Sequence, residues 1–345
     1  MPFVFECLKP VVRPAYKVAV LGGGSWATAI VKILSSNLKY VYWWVREPEI
    51  VEGIKEHGHN PLYLNEAQLN PRKIRISNNL KQVVKKADLV VIVIPSAFVH
   101  ASFSVLPKNA FDGKFVVSAT KGMMPEPMLP ISMYMQQYFG VGKDRLGIIM
   151  GPSHAEEIAR ERLTYLTSAS ENETLATEVA DLFRNRYVVT TVSNDMDGIE
   201  ACVILKNIYA LAAGIFRGLG AGDNLLAMFN ANCFNEMVNN LEHLHPMENR
   251  KYAVSPYLGD FLVTTYSQYS RNRTFGYMVG KGYSVKTIQM EMKMVAEGYT
   301  AISSVYKYNK EQLHLDMPIM ETTYKILYEK LPVRTGIHRL LDQLK

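Results

Sequence analysis

Apolar positions follow two different periods along this chain. Up to about residue 197, short runs rich in β-branched residues alternate with amphipathic segments, as in βαβ units that build a parallel sheet. The runs Lys17–Leu21, Tyr40–Val45, Leu89–Ile94, Phe115–Ser118 and Leu146–Met150 predict strands. Leu89–Ile94 reads LVVIVI, and an unbroken apolar run predicts a strand buried on both faces. From about Gly198 the apolar residues recur at helical spacing in long stretches. The expected architecture is therefore α/β: a doubly wound sheet domain over 1–197, then an all-α domain over 198–345, with the boundary near Ser193–Gly198.

Bulk properties narrow the picture. A chain of 345 residues favours two domains over one. No apolar run reaches the roughly 18 to 20 residues that span a bilayer, so no integral membrane association is expected. The segment 1–17 lacks a basic start followed by a long apolar core, which argues against a secretory signal. Cys7, Cys202 and Cys233 are few, odd in number and far apart, which fits a reducing cytoplasm and neither a disulfide framework nor a metal site. The net charge is +6, but lysines and arginines are dispersed and no nucleic-acid motif accompanies them. A basic enzyme acting on anionic ligands is the better reading.

The chemistry begins at the end of the first predicted strand. Gly22-Gly23-Gly24-Ser25-Trp26-Ala27 has the form G-x-G-x-x-A and opens an apolar helix. Gly22 permits the tight turn, Gly24 admits a pyrophosphate close to the backbone, and Ala27 lets helix and strand pack. The helix N-terminus then offers free N–H groups to phosphate. A strand, turn and helix in this order predict a Rossmann-like dinucleotide site. The second strand ends in Arg46-Glu47. A carboxylate there suits NAD and an arginine suits NADP, so both cofactors stay open. Pro95-Ser96 closes the buried strand at its carboxyl end, near the expected cofactor.

In the helical half, Lys206 and Asn207 interrupt the apolar stretch Ala201–Phe216. A buried ammonium is costly, so such a lysine either snorkels to a surface or is kept for proton transfer with a lowered pKa. Lys121 follows the strand Phe115–Ser118 within Thr120-Lys121-Gly122; read alone, it is a solvated loop lysine. Gly151, Pro152 and Ser153 form a tight loop before a helix at Ala155, where N–H groups face an anion. Asp260 and Thr264 share one helix face, and Ser270-Arg271-Asn272-Arg273 ends that segment. Arg271 can grip phosphate bidentately, as a lysine cannot. His57, His59, His243 and His245 lack a third ligand at metal spacing and read as surface or capping residues.

Taken together, these segments resemble the NAD(P)-dependent glycerol-3-phosphate dehydrogenases of the soluble bacterial type, over about residues 17–300. The resemblance rests on Gly22–Thr28, Asn60–Leu64, Thr120–Gly122, Gly151–Ala155, Leu205–Asn207, Gly218–Asn224, Asp260–Thr264, Ser270–Arg273 and Glu297–Ala301, in that order. It implies hydride transfer between NAD or NADP and dihydroxyacetone phosphate, serving phospholipid synthesis, in a possible homodimer. It further implies Lys206 as general acid, Lys121 stabilising the substrate oxygen, and Asp260 and Asn207 orienting Lys206 or substrate hydroxyls. Thr264, Ser270, Arg271 and Asn272 would hold the phosphate, with Gly151 and Ser153 opposite. Gly22, Gly24, Ser25, Trp26, Arg46, Lys121, Ala155, Arg271, Val295 and Glu297 would line the cofactor. Departures from the family pattern stand at Val203 and Ile204, where small residues are usual, at Leu225-Leu226 in place of Thr-Lys, and at Asn232 in place of arginine.

Overall fold

The computed structural model describes residues 15–292 and 296–344. Eight strands form one sheet: β1 (Val18–Leu21), β2 (Val41–Trp44), β3 (Ile74–Ser77), β4 (Leu89–Ile92), β5 (Phe115–Ser118), β6 (Leu146–Met150), β7 (Thr164–Ala169) and β8 (Val188–Ser193). Their order is β3-β2-β1-β4-β5-β6-β7-β8. All neighbours run parallel except β6 and β7. Every residue of β1 and β4 is buried, as their apolar sequences predict. The chain order reverses between β1 and β4, the switch point beside which doubly wound folds bind ligands.

Three strands were not predicted from periodicity. β3 carries the exposed Arg75 on the sheet edge. β7 and β8 are rich in Thr and Ser, whose hydroxyls hide the apolar signal. The structure satisfies those groups inside the sheet, as where the Thr167 and Thr191 hydroxyls pair at 2.8 Å.

The first seven helices flank this sheet in sequence: α1 (Ser25–Asn37), α2 (Pro48–His57), α3 (Leu80–Lys86), α4 (Ser96–Phe103), α5 (Ile131–Phe139), α6 (Ala155–Ala159) and α7 (Glu173–Phe183). The remainder is helical: α8 (Met196–Gly218), α9 (Asp223–Leu244), α10 (Asp260–Tyr266), α11 (Arg271–Gly280), α12 (Val285–Glu291), α13 (Glu297–Tyr308), α14 (Pro318–Tyr328) and α15 (Val333–Leu341). Helix α8 is long and apolar enough to cross a membrane, yet 94% of its apolar window is buried within the protein. The chain divides into two compact units. One holds the sheet and its helices. The other holds 197–345 together with Pro95–Ala97 and Lys121–Pro130.

Within the second unit, α8 and α11 cross at very short range. Gly214 and Gly218 on α8 face the backbone of α11, and Gly276 and Gly280 on α11 face that of α8. A Cβ at Gly218 would fall 2.9 Å from Gly280 Cα, and one at Gly214 would fall 2.9 Å from Tyr277 N. Two small-xxx-small stripes thus let the backbones touch. Val203 and Ile204, which depart from the family pattern, are both buried in the first part of α8.

Candidate active site

The glycine turn of the sheet unit has the conformation its sequence requires. Gly22 has φ +136°, and a Cβ there would come within 2.5 Å of Val93 O. Its N–H donates to Trp44 O at 3.0 Å, and its carbonyl accepts from Trp43 Nε1 at 2.7 Å. Asn60 braces the turn from outside: its Nδ2 donates to Gly23 O and to Thr28 Oγ1, both at 2.9 Å. Gly24 is the N-cap of α1, without a side-chain cap, and the space above its Cα is open for 4 Å. An uncapped helix N-terminus facing open space fits a pyrophosphate. Ser25 is buried, and Trp26 Nε1 donates to Ala119 O at 2.9 Å.

Arg46 is exposed, and its guanidinium is held by Glu47 Oε1 at 2.6 and 3.0 Å. Gly151 has φ +135°, and its carbonyl accepts from Ser153 Oγ at 2.8 Å. Ala155, buried, opens α6. Val295 lies outside the described residues.

The second unit gathers the charged groups. Lys206 on α8 is 3% exposed. Asp260 is 1% exposed and stands at the start of α10, delivered there by a π-helical turn over Ser255–Gly259. Asp260 Oδ1 pairs with the Lys206 ammonium, and Lys121 Nζ lies 3.8 Å from the same oxygen. Desolvation lowers the Lys206 pKa to about 7; the Asp260 charge opposes that shift and the Lys121 charge adds to it. Asp260 Oδ2 is buried and has no hydrogen-bond partner among the described residues. An orphan acceptor beside two ammoniums is poised for a hydroxyl donor that none of the described residues supplies.

Around this core runs a chain of amides. Asn207 Nδ2 donates to Lys121 O at 2.5 Å, Asn272 Nδ2 donates to Asn207 Oδ1 at 2.9 Å, and Gly298 N donates to Asn272 Oδ1 at 2.9 Å. Thr264 Oγ1 donates to Asp260 O at 2.5 Å, one turn along α10. Ser270 caps α11, its Oγ accepting from Arg273 N at 3.3 Å. Arg271 opens α11, and its charge lowers the Glu297 carboxyl, which burial pushes up more strongly.

The structure therefore brings Lys121, Lys206, Asn207, Asp260, Asn272 and Glu297 into one connected set. The glycine stripes of α8 and α11 do not stand out from apolar periodicity. Their signal was present as glycines four apart, at Gly214–Gly218 and Gly276–Gly280. The partner of Ser96 is not legible in the sequence, because Glu297 lies 201 positions away.

Comparison with known proteins gives the chain a family. Residues 17–176 match the N-terminal part of the NAD-dependent glycerol-3-phosphate dehydrogenases, and residues 195–338 match their C-terminal part. The chain is 32% identical over 330 residues to a glycerol-3-phosphate dehydrogenase [NAD(P)+] of Macrococcus caseolyticus, covering 95% of this chain and 98% of that one. It is 33% identical over 334 residues to the enzyme of the same name from a Geobacter species, with the same coverage of both chains. A crystal structure of glycerol-3-phosphate dehydrogenase from Coxiella burnetii superposes with a TM-score of 0.87 at 26% identity, over 94% of this chain and 98% of that one. By its sequence along nearly its whole length and by its fold, this chain belongs to the NAD-dependent glycerol-3-phosphate dehydrogenase family.

Proposed function

We propose that the chain is an NAD(P)-dependent dehydrogenase that interconverts dihydroxyacetone phosphate and sn-glycerol 3-phosphate, supplying phospholipid synthesis. The observation that carries the mechanism is the buried Lys206, paired with Asp260 and flanked by Lys121. A lysine that titrates near pH 7 can give up and regain a proton at physiological pH.

Gly22, Gly24, Ser25 and Trp26 would hold the cofactor, together with Arg46, Ala155 and Glu297. Bound NAD(P)H supplies the hydride to C2 of the substrate. Lys206 Nζ protonates the C2 oxygen as negative charge develops there, and in the reverse direction takes the hydroxyl proton. Lys121 stabilises the same oxygen electrostatically. Asp260 holds the Lys206 ammonium with Oδ1, and its orphan Oδ2 accepts from a substrate hydroxyl. Arg271 binds the phosphate bidentately, helped by Thr264, Ser270 and Asn272, with Gly151 and Ser153 on the loop after β6. Residues 1–197 act as the cofactor domain and 198–345 as the substrate and catalytic domain. The enzyme works in the cytoplasm, as a homodimer, without nucleic-acid partners.

The test is NADH and NADPH oxidation, followed by absorbance, with dihydroxyacetone phosphate and with unphosphorylated dihydroxyacetone. Turnover that needs the phosphate and disappears in Lys206→Ala supports the reading. The two cofactor rates decide between NADH and NADPH. Absence of turnover in the wild type with the cofactor bound would reject the substrate assignment.

A further inference from the structure

Beside the lysine pair, the second unit contains a closed ring of contacts. Ser96, the first residue of α4, donates its backbone N–H to Glu297 Oε1 at 3.0 Å, and its hydroxyl donates to Glu297 Oε2. Glu297 is the first residue of α13, and the next residue, Gly298, donates its N–H into the amide chain Asn272–Asn207. That chain ends on the Lys121 carbonyl. The next residue after Lys121 is Gly122, and a Cβ there would fall 2.7 Å from Ser96 Oγ and 2.8 Å from the Glu297 carboxyl carbon. The ring thus runs Ser96, Glu297, Gly298, Asn272, Asn207, Lys121, Gly122 and back to Ser96.

This circuit explains two features of the sequence. Gly122 follows the catalytic-site lysine because the Ser96–Glu297 pair occupies the volume a side chain would need. Gly298 follows Glu297 because the backbone of α13 presses against Asn207, whose carbonyl carbon lies 2.7 Å from where a Cβ would stand. The backbone of Lys121 is held from two sides: by the amide chain at its carbonyl, and by the clasp at Gly122. Its ammonium is the group that lies 3.8 Å from Asp260 Oδ1.

We propose that Ser96 is a positioning residue: through its two hydrogen bonds to Glu297 it clasps the Lys121-Gly122 turn and sets the distance of the Lys121 ammonium from Lys206 and Asp260. The role rests on the dehydrogenase reading above and adds a residue outside the charged cluster. Ser96 acts through Glu297 and Gly122 on Lys121. A hydroxyl is required because the carboxylate keeps one oxygen for the Ser96 N–H and the other for Oγ. Loss of the hydroxyl leaves a carboxylate oxygen short of a donor and frees the turn.

The experiment compares wild type, Ser96→Ala and Ser96→Thr in dihydroxyacetone phosphate reduction across pH. Ser96→Ala should lower kcat about tenfold, as small misplacements of catalytic groups do, with a smaller change in KM for dihydroxyacetone phosphate. With Lys121 displaced, its charge no longer depresses Lys206, so the alkaline limb of the kcat profile should move to higher pH. Ser96→Thr keeps both donors and should restore the wild-type limb. A purely structural loss would lower the amount of active enzyme without moving that limb. An unchanged limb in Ser96→Ala, or a limb displaced equally in Ser96→Thr, overturns the proposal. A wild type that does not reduce dihydroxyacetone phosphate overturns the functional reading instead, and the proposal with it.

Discussion

Lys121 Nζ lies 3.8 Å from the carboxylate oxygen of Asp260 that pairs with Lys206, so one buried acid serves two ammoniums. Two cations around one anion leave a net positive charge in a site that must hold a phosphorylated substrate and a developing oxyanion.

The first prediction concerns pH. Lys206 titrates near 7 because burial disfavours its charged form, with the Asp260 charge opposing. Ketone reduction needs the protonated lysine, so kcat in that direction should fall as pH rises through about 7. Oxidation needs the neutral amine and should rise over the same range. In Asp260→Asn the opposing charge is gone, and the Lys206 pKa should fall further. Reduction at neutral pH should then drop about 100-fold, the usual scale of lost general acid catalysis, and regain rate on acidification. Profiles that do not respond to this substitution would remove Asp260 from the control of Lys206.

A second prediction concerns phosphate recognition. Arg271→Lys keeps the charge at the head of α11 but loses the planar fork. KM for dihydroxyacetone phosphate should rise strongly, while unphosphorylated dihydroxyacetone should be turned over as poorly as before. Steady-state kinetics on both substrates decide this; an unchanged KM would take Arg271 out of the phosphate pocket.

The crossing of α8 with α11 gives a third. Gly276 lies against the backbone of Leu211, and a Cβ there would meet Leu211 C at 2.8 Å. A backbone neighbour cannot swing aside, so Gly276→Ala should destabilise by about 1–3 kcal/mol. Because α8 carries Lys206 and α11 carries Arg271, kcat/KM should fall as well. Urea unfolding together with kinetics checks both; wild-type stability would mean that the helices can part at no cost.

The fourth turns on Glu236, buried on α9. Its carboxylate accepts from Ile319 N at 2.8 Å, Met320 N at 3.0 Å and Tyr209 OH at 3.2 Å, so it caps α14 from a distant helix. Burial raises its pKa to about 7, against those donors. Between the unfolded value of 4.5 and about 7, the folded chain holds a proton that the unfolded chain has released. This group therefore makes stability fall as pH rises through that window. Glu236→Gln cannot ionise and should lack that component. Its stability relative to wild type should improve from pH 5 to pH 8, as read by urea unfolding at both values. A difference independent of pH would show that Glu236 does not titrate there.

Much of this was legible in the chain. The apolar run Leu89–Ile94, the glycine turn at Gly22–Gly24 and the interruption of an apolar helix by Lys206 and Asn207 are local patterns. Local patterns report burial period and backbone conformation directly. The resemblance added Lys121, which spacing alone could not separate from a solvated loop lysine, and gave Asp260 its role.

What only the tertiary structure decided depends on pairs far apart in sequence. β7 and β8 pair hydroxyls across the sheet, Thr167 with Thr191, so their polar composition concealed them until the partner strand was known. Lys206 could have snorkelled to solvent; its burial was fixed by the packing of α8 and by Asp260, 54 positions on by sequence number. Ser96 could not be distinguished from a turn residue, because its partner Glu297 is set by how α13 meets the Lys121-Gly122 turn. Periodicity records whether a residue is buried. Which residue it then meets is set by the crossing of whole elements, here as close as backbone against backbone at the four glycines Gly214, Gly218, Gly276 and Gly280.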